Sequence, residues 1–301
     1  MGPDSREPVL AAALERLYEE FDTSGGVPDP VEKVRVFADP ADREIAGFIA
    51  AGLAFGRVAS ILTSIDRVLG AMGPSPAAFV RRFEPGRDRQ LPRGFVHRWT
   101  DGQDIAALLV VLRHMLESAG SVEGFFLQGD DPDATDIRPG LESFCARARA
   151  VDLRAVYGRR IARPGAHGFF PLPSAGSACK RLNLFLRWMI RRDAVDLGVW
   201  TRVAAARLII PLDVHVIRVG QCLGLTACAS PGWRMAASIT AALRRIDPSD
   251  PVRYDFALCH VGMRDLCGFR KPAGDSRCPL RGACRPRARR PRASHRSSDR
   301  R

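Results

Sequence analysis

Lys180 and Asp213 are the residues of this chain whose type and placement could do covalent chemistry. The chain carries 46 basic side chains, of which only Lys33, Lys180 and Lys271 are lysine; the other 43 are arginine. Arginine keeps its charge at any physiological pH, whereas a lysine amine can lose its proton and become a nucleophile. Lys180 stands in Gly176-Ser-Ala-Cys-Lys-Arg-Leu-Asn-Leu-Phe-Leu-Arg-Trp-Met189, near the start of a predicted helix. The positive end of that helix dipole and the adjacent Arg181 both work against an ammonium there. Asp213 follows in Ile209-Ile-Pro-Leu-Asp-Val-His-Val-Ile-Arg218, at a second predicted helix start. An amine and a carboxylate so placed form a candidate Schiff-base pair. Plainer roles exist for each: Asp213 as an N-cap, Lys180 as a surface charge.

These residues carry a resemblance. Pro211-Leu-Asp-Val-His-Val-Ile-Arg218 resembles the Pro-Val-Asp-Thr-His-Val-x-Arg stretch of the helix-hairpin-helix GPD DNA glycosylases. The resemblance implies that Asp213 matches their catalytic aspartate and Lys180 the helix-start lysine of the bifunctional members. The gap of 33 residues between the two is longer than in the endonuclease III branch and closer to the archaeal 8-oxoguanine branch. Gly176-Ser-Ala-Cys-Lys-Arg-Leu-Asn183, Pro211-Leu-Asp-Val-His215 and Tyr254-Asp-Phe-Ala-Leu258 are more closely similar to an uncharacterised bacterial family allied to those enzymes. That likeness runs from about residue 40 to 262. It implies an all-α fold of two lobes with an interlobe cleft. The implied function is base-excision repair of DNA, by a glycosylase with AP-lyase activity. The alternative is a catalytically inactive nucleic-acid-binding protein that retains the fold.

The implied chemistry is attack of the Lys180 amine on C1′ of a sugar, expulsion of the base, and a Schiff base open to β-elimination. A base in duplex would first leave the stack. One departure concerns the grip on DNA. The glycosylases place Leu-Pro-Gly-x-Gly-x-Lys at the hairpin, where this chain has Pro173-Ser-Ala-Gly-Ser-Ala-Cys-Lys180. Gly176, Ser177, Arg181, Arg187, Arg191 and Arg218 are the candidate nucleic-acid contacts. Arg187 and Arg191 fall on the Lys180 face and read equally as phosphate ligands or a solvated face. His215 reads as structural, Cys179 as a buried thiol, and Trp188, Phe169 and Phe170 as core rather than base-stacking residues.

Eight cysteines are present, and Cys259, Cys267, Cys278 and Cys284 cluster within 26 residues. The step from Cys278 to Cys284 resembles the end of the endonuclease III cluster loop, while the position three before Cys278 is Asp275. Cys259 is the candidate fourth thiolate. A [4Fe–4S] cluster is the first expectation and zinc the second, with unconnected thiols as the other reading.

The elements that must position these groups are helices. Apolar residues recur at three and four from Leu10 to Tyr18, from Ile45 to Leu53, from Val58 to Leu69, from Ile105 to Leu116 and from Leu182 to Met189. Asp250-Pro251 is predicted to open a late helix. No strand alternation is expected. Breaks fall at 23–30, 84–94 and 158–176. Apolar content of 46% supports a packed core, and no apolar run is long enough to span a bilayer. The N-terminus lacks the apolar stretch of a secretory signal, so a cytoplasmic, nucleoid-associated monomer is expected. Residues 1–285 read as one domain and 286–301 as a disordered arginine-rich tail. Residues 285–301 hold eight Arg and one Asp, +7 of the net +13, which favours polyanionic partners, DNA first.

Overall fold

A computed structural model describes residues 6–21, 29–87, 94–162, 164–264, 266 and 278–284. The tail 286–301 and Cys267 lie outside the described residues. Among the described residues the fold is all-α apart from one short hairpin. The first helix, α1 (Arg6–Phe21), buries Leu10, Leu14 and Leu17, as its three-and-four spacing requires. After the single turn α2 (Glu32–Arg35) comes α3 (Pro40–Gly52). Asp39 caps α3, accepting from the amides of Ala41 at 2.7 Å and Asp42 at 3.3 Å, and Pro40 takes the first helical position, where no amide is needed. Then follow α4 (Val58–Met72), which buries Ile61, Ile65 and Val68, and α5 (Pro76–Arg82).

The hairpin lies between α5 and the next helix: β1 (Val96–His97) pairs antiparallel with β2 (Thr100–Asp101). Its two-residue strands are too short for the period-2 pattern to show in the sequence. Asp101 closes a capping box with Asp104 and starts α6 (Gly102–Ala119). Next come α7 (Val122–Leu127), α8 (Arg138–Ala150) and α9 (Arg154–Tyr157). The Gly/Pro-rich segment that follows carries two 3-10 turns, Gly165–Phe169 and Pro173–Ala175. It leads into α10 (Lys180–Ile190), then α11 (Val214–Leu223), α12 (Trp233–Arg244) and α13 (Asp255–Met263).

The buried apolar side chains form one continuous core from α1 to the 278–284 turn. Two close approaches fix the helices that matter for the site. Gly47 of α3 faces Met189 of α10, where a β-carbon would stand 2.9 Å from the methionine Cε. Gly262 of α13 faces His215 of α11, where a β-carbon would meet the histidine Cβ at 2.6 Å. His215 is therefore a packing residue at a crossing that only glycine permits.

Two expectations are corrected. Asp250-Pro251 does not open a helix: residues 251–254 form turns and α13 begins at Asp255. The Asp250 carboxylate instead takes Arg191 Nε, at 2.9 and 2.8 Å. Arg187 and Arg191 are not on a solvated face. Their side chains are 3% and 4% exposed, inside a cluster of carboxylates. Arg187 pairs with Asp196 at 3.1 Å and with Asp255, and Arg191 pairs with Asp193 at 2.7 Å, with Asp196 and with Asp250. Buried charges persist only when paired, so these arginines hold α10 to the following loop and to α13 rather than meeting phosphates. Among the described residues no helix is long and apolar enough to cross a membrane.

Candidate active site

Lys180 is the first residue of α10, and its Nζ donates to the Ala54 carbonyl just beyond α3, at 3.2 Å. Asp213 is the N-cap of α11. Its Oδ1 accepts from the amides of His215 at 2.9 Å and Val216 at 2.7 Å. The capping role and the candidate catalytic role fall on different oxygens, because Oδ2 accepts instead from the Cys259 thiol at 3.1 Å. Burial first, and then the Asp213 charge, push the Cys259 thiol well above its ordinary range, while the Lys180 ammonium pulls the other way. Cys259 of α13 thus stands at the start of α11. It is bonded to the carboxylate and lies within the field of the amine. Of the other lysines, Lys33 is paired with Asp66 at 2.8 Å and Lys271 lies outside the described residues.

The backbone before Lys180 is strained. Cys179 has φ 48, ψ 34, one of two non-glycine residues with positive φ among those described; the other is Arg98. A β-carbon in the left-handed region costs energy and persists where the surroundings enforce it. Here the amide of Cys179 is held by Ser177 Oγ at 3.2 Å, and its thiol donates to the Pro171 carbonyl at 3.3 Å. Burial pushes that thiol up to about 12, so it stays protonated and is no nucleophile.

The turn that stands where the glycosylases have their phosphate-gripping hairpin is engaged within the protein. Glu142 of α8 accepts the Ser174 amide at 2.8 Å, and the Ala175 and Gly176 amides bond back to Leu172 and Pro173. Gly176 adopts φ 81 and its carbonyl accepts the Trp233 amide at 3.3 Å, seating the turn on α12. Ser177 is used as described above. Arg181 folds back, giving hydrogen bonds to the Gly52 carbonyl at 2.7 Å and to the Gly168 carbonyl, with its guanidinium 5.0 Å from the Phe55 ring centre. Burial draws Arg181 down to about 10. Arg218 is exposed on α11. Of the six candidate nucleic-acid contacts, the structure leaves Arg218 and the exposed Gly176 at the surface, turns Ser177 and Arg181 inward and buries Arg187 and Arg191.

The cysteines regroup. Cys259 belongs with Asp213, at the start of α11. The Cys284 thiol shares hydrogen bonds with Cys222 and Cys278 and donates to the Leu280 carbonyl at 3.3 Å. Cys222 is near the end of α11, nine residues and about 13 Å of helix rise from Asp213. Cys259 is thus set at the start of α11 and Cys222, with Cys284 and Cys278, at its end. As placed, no three His, Cys, Asp or Glu side chains among the described residues are set as a metal's ligands.

A family model described as a protein of unknown function, DUF2400, matches residues 29–264. The chain belongs to that family. The matched span covers most of the chain and contains Ala54, Lys180, Asp213 and Cys259. No curated protein and no solved structure matches the chain.

Within this DUF2400 chain, two features of the site had no signal in the sequence. Cys259 belongs to a spacing pattern that points to metal, and only the α11–α13 crossing shows it beside Asp213. The second is the hairpin. Trp99 is 66% exposed and stacks on Phe55 at 4.4 Å, one residue beyond the carbonyl that holds Lys180. Cavity volume does not mark the site: a cleft of about 510 Å³ opens among Arg149, Arg154, Tyr157, Arg159, Arg160 and His167, with neither Lys180 nor Asp213 in its lining.

Proposed function

We propose that this protein is a DNA glycosylase with AP-lyase activity, in which Lys180 forms a Schiff base with the sugar of a damaged or abasic nucleotide. The observation that carries this reading is that Lys180 opens α10 and Asp213 caps α11 through Oδ1 alone, leaving Oδ2 outside the cap, on the Cys259 thiol. In the proposed reaction the neutral Lys180 amine attacks C1′ and the bond to the base breaks, the base leaving with a proton. Asp213 Oδ2, once the Cys259 thiol yields its place, takes the proton that the Lys180 ammonium must lose before it attacks and gives it to the departing base, and the carboxylate so regenerated balances the positive charge on the sugar adduct. Ring opening gives the imine, and loss of a C2′ proton with departure of the 3′ phosphate completes β-elimination.

Borohydride should trap a covalent adduct between the protein and duplex DNA carrying an abasic site. A panel of damaged and abasic duplexes that gives no adduct and no strand cleavage would overturn the proposal. The second reading, a nucleic-acid-binding protein without turnover, is favoured by one observation: the Cys259 thiol occupies the oxygen that the chemistry needs.

Asp213→Asn separates capping from catalysis. Asn is as good an N-cap as Asp, so the melting temperature should stay within a few degrees of wild type. Turnover should fall by about 10²-fold or more, the scale of losing a positioned acid–base group. Unchanged turnover would leave Asp213 as a cap alone.

For the cofactor, we propose that Cys222, Cys278 and Cys284, which neighbour one another without being set as ligands, draw together when metal is bound, without Cys259. Such thiolates suit iron–sulfur or zinc ligation. Iron or zinc found in anaerobically purified protein should be lost in Cys278→Ser and Cys222→Ser and kept in Cys259→Ser. Metal retained in Cys222→Ser would return the ligands to the C-terminal segment.

A further inference from the structure

We infer that Trp99, at the tip of the β1–β2 hairpin, is a platform on which a nucleobase stacks beside the Lys180 site; this rests on the proposed reading and names how that site holds its substrate. Of the four tryptophans, Trp188, Trp200 and Trp233 are at most 5% exposed, whereas Trp99 is 66% exposed. An indole of that size left in water without a packing reason marks a contact surface more often than a scattered apolar residue does.

The exposure is built in. One face of the indole lies on Phe55, with ring centres 4.4 Å apart and planes 16° from parallel, and two thirds of the residue stays in solvent, at 66% exposure. His97 anchors the hairpin from beneath, its ring nitrogens hydrogen-bonded to Ser64 Oγ at 2.9 Å and the Phe55 carbonyl at 3.0 Å. Arg98, between anchor and platform, is the second non-glycine residue with positive φ, at 57°. The two strained residues of the described chain immediately precede Trp99 and Lys180. Gly56 lets the Arg98 side chain pass, since a β-carbon there would stand 3.3 Å from Arg98 Cδ.

Position and charge choose the occupant. Lys180 Nζ bonds the carbonyl of Ala54, and Phe55 follows it in the chain, so the stacked pair begins one residue from the amine. Arg98 lies 5.4 Å from the Trp99 ring centre, Arg181 5.0 Å from that of Phe55, and Arg57 is exposed beside Gly56. The hairpin's own carboxylate, Asp101, is occupied in capping α6. An exposed indole flanked by guanidinium groups fits an unstacked base with its flanking phosphates, the pattern of single-strand nucleic-acid platforms.

The test uses the full-length protein and two probes of equal charge: an oligothymidylate and a length-matched chain of propanediol phosphodiesters, which has phosphates and no bases. Oligothymidylate should quench the iodide-accessible tryptophan fluorescence and bind about 5- to 150-fold more tightly than the base-free chain. Trp99→Ala should remove both the quenching and that preference, and Trp99→Phe should keep most of the preference. Equal affinity of the wild type for the two probes, or a preference that survives in Trp99→Ala, overturns the platform. So does a Trp99→Ala variant whose only change is in oligomeric state, which would assign the indole to self-association. Lys180→Gln should keep the base preference. A platform that passes while no protein gives a borohydride adduct would sink the lyase reading alone; an adduct yield unaffected by Trp99→Ala, with no base preference, would sink the platform alone.

Discussion

Lys180→Gln abolishes the borohydride-stable adduct on abasic DNA, a loss on the order of 10³-fold or more, as expected when a covalent nucleophile is removed. The fold stays intact. Lys180 is half-buried and makes one hydrogen bond, to the Ala54 carbonyl, which the Gln amide is chemically able to replace. The melting temperature should therefore move by no more than a surface substitution moves it, about 0.5 kcal/mol in stability. Lys180→Arg should fail as completely, because a guanidinium keeps its proton and cannot attack as a neutral amine. The pair of variants isolates nucleophilicity from charge: Arg restores the positive charge that acts on Cys259 and restores no chemistry. An adduct from Lys180→Gln equal to that of the wild type would move the attack to another amine, the chain's N-terminus first.

Arg187→Ala costs stability on the scale of about 3–5 kcal/mol, because it strands carboxylates in the interior. Asp196 keeps Arg191 as a partner, whereas Arg187 is the ion-pair partner of Asp255 among the described residues. Burial already pushes Asp255 up to about 7, against the pull of Arg187, and the latter pull is gone in the variant. A carboxyl whose folded pKa lies above its unfolded value near 3.8 favours the folded state at low pH. That contribution is lost as pH rises toward the folded pKa. From about pH 4 to pH 7 both proteins lose it alike; the deficit of Arg187→Ala relative to wild type should therefore widen above about pH 7, where Asp255 ionises in the wild type and stays protonated in the variant, readable as urea midpoints at several pH values. A deficit under about 1 kcal/mol across that range would mean that the carboxylates are not stranded by the loss of Arg187.

The sequence by itself determined that the protein is built of helices, where most of the main ones begin, and which two residues stand at the starts of α10 and α11. These are local matters. Apolar spacing sets the buried face of α4 and α6, Asp39-Pro40 sets the start of α3, and Asp213 caps the helix it precedes. Tertiary structure decided what those residues meet. Arg187 and Arg191 carry charge at positions that solvent could have taken, and only the packing of α10 against the 193–196 loop and α13 shows them enclosed by aspartates. Cys259 lies in a run whose spacing points to metal, yet it is set against Asp213 because Gly262 lets α13 close on α11. Trp99 is apolar and would be assigned to a core. It faces water because a two-residue hairpin, pinned by His97 and turned by Arg98, carries it out over Phe55. Periodicity reports which side of one element is buried, whereas a site is made where several elements cross, and no single stretch of sequence holds that information.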